Sequence, residues 1–264
     1  MRSLMLFPVA LCATAAPAPT SAQLTTTYTG TQRDGDKDVP ASAEFTIQNG
    51  RALMVMKGSR AMRMIFDARA GVLHIISDDD KSFFDITRAN AAAGDPSGMM
   101  GEMQKQMEKM PKEQRAMAEG MMKGMMGSAA TQPPLTYVWS KETREIAGYQ
   151  CTLVAGMRGD NKVTEYCGST SNDFKMSDAE RATMLDMQGY LRNFGISVQS
   201  GDETRAFQWD TSVDGYPVLT RCYRNGTMTL ELQLVSVSRK PLPDEMFEMP
   251  RGYKPMDFGM GKRR

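Results

Sequence analysis

The chain of 264 residues carries 32 Lys and Arg against 31 Asp and Glu, a formal net charge of +1 with the two signs interspersed. That balance lacks the basic footprint that nucleic-acid binding needs, so no nucleic-acid partner is expected. The length suits one large domain or two small ones, and the residues after 23 contain no second long apolar stretch, so no transmembrane segment is expected.

Residues 1–22 read as a cleavable secretory signal. Arg2 supplies the positive charge, Leu4 to Ala16 is an apolar run interrupted by Pro8 and Thr14, and Thr20-Ser21-Ala22 offers a small-residue cleavage site. The run is too short to span a bilayer as a helix. Leu11 stands before Cys12 where lipidation wants a small residue, which sets a lipoprotein reading aside. Cleavage before Gln23 leaves 242 of the 264 residues and, by removing Arg2, brings the net charge to zero. The expected location is periplasmic or secreted, an oxidising setting for the remaining Cys151, Cys167 and Cys222.

From Gln23 onward the pattern is that of short strands. Residues 24–31 and 42–48 are rich in Thr and aromatics, which suit a pleated, half-buried surface. Asn49-Gly50 turns the chain into 51–57. Met62, Met64 and Phe66 share one face of 61–67, and Val72, His74 and Ile76 share one face of the next run. Asp78-Asp79-Asp80 turns that run towards Phe83 to Ile86. Turn signals about every ten residues predict an antiparallel meander. Consecutive carboxylates at a hairpin tip are read as solvated turn residues, since hard cations want oxygen ligands at alternating positions.

Residues 99–126 hold ten methionines in 28 positions, within a predicted helical insertion at 95–127. Asp95-Pro96 marks a helix start and Pro111 divides the segment in two. Met99, Met103, Met107 and Met110 form a stripe on the first stretch, and Met117, Met121 and Met125 on the second. Three readings stand open. The stripes are a packed helical flap, or they are a lid over a hydrophobic small molecule, lipid or lipidated partner, exploiting the adaptability of Met. Alternatively the M-x-x-M pairs Met100/Met103, Met107/Met110 and Met122/Met125 capture Cu(I) through soft thioethers. No resident cofactor is expected.

The strand pattern resumes at 135–140, 148–155, 163–167, 205–209 and 218–224. The clearest hairpin is 218–235, turned by Asn225-Gly226. A two-residue turn there sets Leu219 opposite Leu232 and Arg221 opposite Leu230, with Met228, Leu230, Leu232 and Leu234 on one apolar face. Ser177 and Glu180 form a capping box for a helix stopped at Gly195, with Met184, Met187, Leu191 and Phe194 on its packing face. Cys151 and Cys167 bracket a hairpin centred on Gly159. A three-residue loop places them directly opposite, within disulfide reach, and a two-residue turn offsets them. This pairing is favoured over one with Cys222, although sequence alone does not fix connectivity. Cys222 is then expected on the more polar face of its strand.

The chain has no G-x-S-x-G elbow, no H-E-x-x-H and no C-x-x-C, and its single histidine, His74, lies between Val72 and Ile76 on a strand. An enzyme is therefore not expected. Arg158-Gly159-Asp160 and Asn225-Gly226-Thr227 spell an adhesion tripeptide and a glycosylation sequon, and both are read as turn chemistry.

Three stretches, MRMIFDARAGVLHIISDDDKSFFDI (62–86), REIAGYQCTLV (144–154) and PLPDEMFEMPRGYKPM (241–256), carry a family resemblance. The chain resembles the bacterial exported family known as Domain of Unknown Function 4412. That resemblance implies a secreted or periplasmic antiparallel sheet and supplies no catalytic residues. More loosely, the order of elements looks like the half-barrel of periplasmic lipoprotein carriers. The expected architecture is mainly β with helices: a curved antiparallel sheet or half-barrel in a single domain over 23–256, covered by the Met-rich insertion and one further helix. Residues 257–264 form a basic flexible tail. The expected role is a non-enzymatic binding or carrier protein, with a Met-rich Cu(I)-binding protein or a structural envelope-interaction protein as alternatives.

Overall fold

A computed structural model describes residues 23–89, 133–193 and 215–256. The signal, the Met-rich insertion, the strand expected at 205–209, Phe194, Gly195 and the tail lie outside the described residues.

Two antiparallel meanders join along β1. In chain order the first comprises β1 (Gln23–Asp34), β2 (Lys37–Gln48), β3 (Arg51–Lys57), β4 (Met62–Asp67), β5 (Val72–Ser77) and β6 (Ser82–Thr87). The second comprises β7 (Leu135–Ile146), β8 (Tyr149–Arg158), β9 (Asn161–Ser169), β10 (Tyr216–Arg224) and β11 (Thr227–Ser238), with helix α1 (Asp178–Asn193) between β9 and β10. A 3-10 helix, Asp244–Phe247, and a short strand β12 (Lys254–Pro255) follow. β1 pairs with β2 on one side and β11 on the other, giving one open, curved sheet in the order β12-β6-β5-β4-β3-β2-β1-β11-β10-β9-β8-β7. The fold is mainly β, as the short alternating runs require.

The turns follow local chemistry. Asn49 and Gly50 (φ 53 and 76) and Asn225 and Gly226 (φ 51 and 76) take left-handed conformations, the geometry that matches the twist of flanking strands. Ala147 (φ 52) occupies the same kind of position before Gly148 without an Asn or Gly to ease it. β2 runs through Pro40, which faces Thr31, yet its pairing with β3 begins only at Ser42. The missing N–H of Pro40 therefore falls beyond the end of β3.

Two register expectations are corrected. In the 218–235 hairpin a bulge between Cys222 and Tyr223 shifts the pairing by one residue, so Leu219 faces Gln233, Thr220 faces Leu232 and Cys222 faces Leu230. Met228 is consequently exposed (42%), while Leu230, Leu232 and Leu234 are buried. Cys222 lies in the core rather than on a polar face. In the 149–169 hairpin the turn leaves Arg158 facing Asn161, and Cys167 faces Leu153. Cys151 and Cys167 are thus diagonal neighbours, with Cα atoms 5.3 Å apart, and they form a disulfide.

The main core fills one face of the sheet beneath α1, from Met64 and Phe66 through Phe45 and Tyr28 to Leu232, Val154 and Tyr166. A second, smaller core lies under the C-terminal segment, where Phe247 packs with Leu53, Ile65 and Ile76. The two strands at the sheet's centre approach closely: a Cβ added to Gly30 would sit 1.8 Å from the Glu231 carbonyl oxygen.

Candidate functional site

The interior between α1 and the sheet is lined by methionines and aromatics. Met54, Met56 and Met64 rise from β3 and β4, and Met184 and Met187 descend from α1, all buried. Phe66 meets Tyr190 edge-on at 5.1 Å. Phe174 is stacked on Tyr149 at 4.5 Å and tilted against Tyr216 at 4.7 Å. Unbranched thioethers repack more readily than β-branched side chains, so this interior can change shape at low cost. The helix offers the expected Met184, Met187 and Leu191 and adds Tyr190, while Phe194 lies outside the described residues.

Two buried tyrosines bring polar groups into this apolar core. The Tyr28 hydroxyl donates to the Pro217 carbonyl (2.9 Å), and the Tyr216 and Thr26 hydroxyls lie 2.8 Å apart. Burial pushes both phenols well above their ordinary pKa, so they remain neutral hydrogen-bonding groups.

The helix entrance is fastened by a residue that carries no sequence signal. The Ser177 N–H donates to Glu180 Oε2 (2.7 Å) and the Glu180 N–H to Ser177 Oγ (3.2 Å), as a capping box requires. Glu180 is 1% exposed, and its other oxygen accepts from Arg239. Arg239 also donates to the carbonyls of Gln23, Phe174 and Lys175. A lone Arg after a strand has no spacing rule that would have revealed this.

The opposite face carries charge. Arg221 sits between Glu165 (2.9 Å) and Glu231 (2.6 Å), and Lys162 pairs with Glu165 (2.9 Å) while lying 4.1 Å from the Tyr223 ring centroid. Burial acts to raise the Glu165 pKa, but the Lys162 and Arg221 partners outweigh it and hold the carboxyl below its ordinary value. That is the reverse of what a general acid needs. A shallow pocket of about 250 Å³ beside it is lined by Thr31, Arg33, Asp38, Met228 and Glu231, below the usual size of a drug-sized ligand site.

The acid triplet is only partly solvated. Asp78 accepts from Arg63 Nε (2.9 and 3.0 Å) and from the Tyr253 hydroxyl (2.8 Å), tying the C-terminal segment to the sheet. Asp79 accepts from the Ala61 N–H, and Asp80 from Ser77 Oγ. His74 Nδ1 lies 2.6 Å from Asp85 Oδ1. No group of three or more His, Cys, Asp or Glu side chains able to hold a metal occurs among the described residues. The lid candidates Met99, Met103, Met107, Met110, Met117, Met121 and Met125, and the Cu(I) candidates Met100 and Met122 with them, lie outside the described residues. No helix among the described residues is long and apolar enough to cross a membrane.

Among solved structures the chain is similar to PNGF-II in a C2 crystal form (11% identity, TM-score 0.38), covering 89% of this chain and 30% of that one. It is also similar to a chain of the Pseudomonas aeruginosa MucA/MucB complex (10% identity, TM-score 0.35), covering 86% of this chain and 55% of that one. The chain therefore spans about a third to a half of the length of these structures. No curated protein matches it. Residues 140–253, from β7 through Tyr253, match the family described as Domain of unknown function (DUF4412).

Proposed function

We propose that this protein is a non-enzymatic, extracytoplasmic binding or carrier protein for a hydrophobic small molecule, a lipid or a lipidated partner. The observation that carries the reading is the buried interior between α1 and the sheet, which holds five methionines together with Tyr28 and Tyr216. Binding sites for apolar ligands combine an adaptable apolar lining with a few fixed polar groups. The two neutral phenols supply the second element. The Cys151–Cys167 disulfide fits an oxidising compartment, in keeping with the signal read at 1–22. In this reading the methionine stripes of 99–126 extend the apolar surface over the ligand.

Titration with a fluorescent fatty-acid analogue tests the proposal. Saturable binding is expected, weakened when Met54 and Met184 are both replaced by Gln in a protein that still folds. Absence of saturable binding by the wild type counts against it.

A further inference from the structure

β3 and β4 pair in an unbroken antiparallel register that sets Met54 opposite Met64 and Met56 opposite Met62. Opposed residues share a face, and Met54 and Met56 stand two positions apart, so all four side chains leave the sheet on its core side. Opposed Cβ atoms lie about 5 Å apart and the two rows about 7 Å apart, so the four thioethers spring from the corners of a small rectangle. Met54, Met56 and Met64 are buried. Met62 is half-buried, next to the hairpin loop in which Gly58, Ser59 and Arg60 are exposed. The flanking strands place Ala43 and Phe45 on one side of the quartet and Ser77 and Ile75 on the other, none of them charged. Pleated, half-buried positions favour β-branched and aromatic residues, so two opposed Met pairs in one hairpin are not what packing alone selects.

We propose that Met54, Met56, Met62 and Met64 form a Cu(I) site. Thioether sulfur is a soft donor, and soft donors of this kind select Cu(I) over hard cations. Thiolates are soft donors too, but Cys151 and Cys167 are joined in a disulfide, whereas thioethers stay available as ligands in the same oxidising setting. The geometry is within reach. Half the diagonal of the rectangle is about 4 Å, and each sulfur stands two rotatable bonds beyond its Cβ, so all four can swing towards one centre. Ala43 beside Met56 leaves room for that movement. An ion of single charge held by four neutral ligands costs far less to bury than an unliganded one. Met62, half-buried at the loop, gives the ion its way in. The site shares three methionines with the interior described above but does not rest on the carrier reading.

Titration of the purified chain with Cu(I), kept reduced by ascorbate and contested by a bicinchoninate chelator, tests this. Two variants locate the ion: Met56→Leu with Met62→Leu, and replacement by Leu of the ten methionines of 99–126. Leu matches Met in size and apolarity, so the fold and any fatty-acid uptake should persist in both, which keeps the copper and carrier readings separable. Wild type should hold one Cu(I) against the chelator. The 99–126 variant should keep that ion, and the Met56/Met62 variant should bind it about a hundredfold more weakly. With methionine methyls labelled by carbon-13, Ag(I), a redox-inert soft substitute, should shift the Met54, Met56, Met62 and Met64 resonances together. A wild type that yields all its Cu(I) to the chelator overturns the proposal. So does an ion lost from the 99–126 variant alone, an affinity unchanged in the Met56/Met62 variant, or an Ag(I) spectrum in which those four methyls stay still.

Discussion

Arg239 Nη1 lies 2.5 Å from Glu180 Oε1, so a residue just after β11 neutralises the buried carboxylate that caps α1. The same guanidinium holds the carbonyls of Phe174 and Lys175, just before the helix, and of Gln23, at the start of β1. One side chain thus fixes where α1 sits over the sheet, and so sets the depth of the interior beneath it. Arg239→Ala leaves Glu180 buried without its cation and should cost about 3 kcal/mol in urea unfolding. Glu180→Gln keeps the cap geometry, removes the charge, and should cost less.

The disulfide closes a separation of 16 residues, for which about 2–4 kcal/mol of stabilisation is expected. Reduction, or Cys151→Ser with Cys167→Ser, should lower the denaturation midpoint accordingly. Cys222 is fully buried. In a chain that begins at Gln23 it should react with a thiol reagent only in denaturant, giving one thiol per unfolded chain and none when native. A native chain that reacts promptly would remove Cys222 from the core.

Ala147 takes φ 52 in the tight turn between β7 and β8, a conformation that an L side chain with a Cβ adopts at a cost of roughly 1–2 kcal/mol. Asn and Gly enter it more easily. Ala147→Gly or Ala147→Asn should therefore stabilise the protein by about 0.5–1 kcal/mol, measured as a raised Tm. The opposite sign is expected at Gly30. Its Cβ would collide with the backbone of Glu231, so Gly30→Ala should destabilise by about 2 kcal/mol or more.

Acid should loosen the C-terminal segment. Burial acts to raise the Asp78 pKa, but hydrogen bonds from Arg63 and Tyr253 outweigh it and the net shift is downward. A carboxyl whose folded pKa lies below its unfolded value contributes fully above the unfolded value, and the contribution disappears as pH falls through the folded one. Glu165 is lowered as well. Stability should therefore be flat near neutrality and fall below about pH 5. In Asp78→Asn the fall should be shallower, as read from urea midpoints across pH. An identical slope in wild type and variant would show that Asp78 is not part of the linkage.

Much of the sheet was legible because turn chemistry and period-2 alternation are local. Asn49-Gly50 and Asn225-Gly226 placed their turns, and 51–57 coincides with β3. The hairpin register failed because a bulge leaves no mark in composition. The Met228 to Leu234 alternation reads as one apolar face, and only the extra residue opposite Cys222 and Tyr223 turns Met228 outward. The interior was half legible. Met184, Met187 and Leu191 follow helical spacing, whereas Tyr28 and Tyr216 meet across 188 positions of chain, a juxtaposition made by the β1–β11–β10 order. Arg239 and Tyr253 act at a similar remove. Long-range polar contacts depend on topology, and a linear pattern does not encode them.

An apolar ligand in the methionine-rich interior, as proposed, would survive mild purification. Native mass spectrometry of the gently purified protein tests it most directly. A bound species of lipid or fatty-acid mass is expected, one that organic extraction releases and that a fluorescent fatty acid displaces. A protein that carries no such species and takes up no added fatty acid would contradict it.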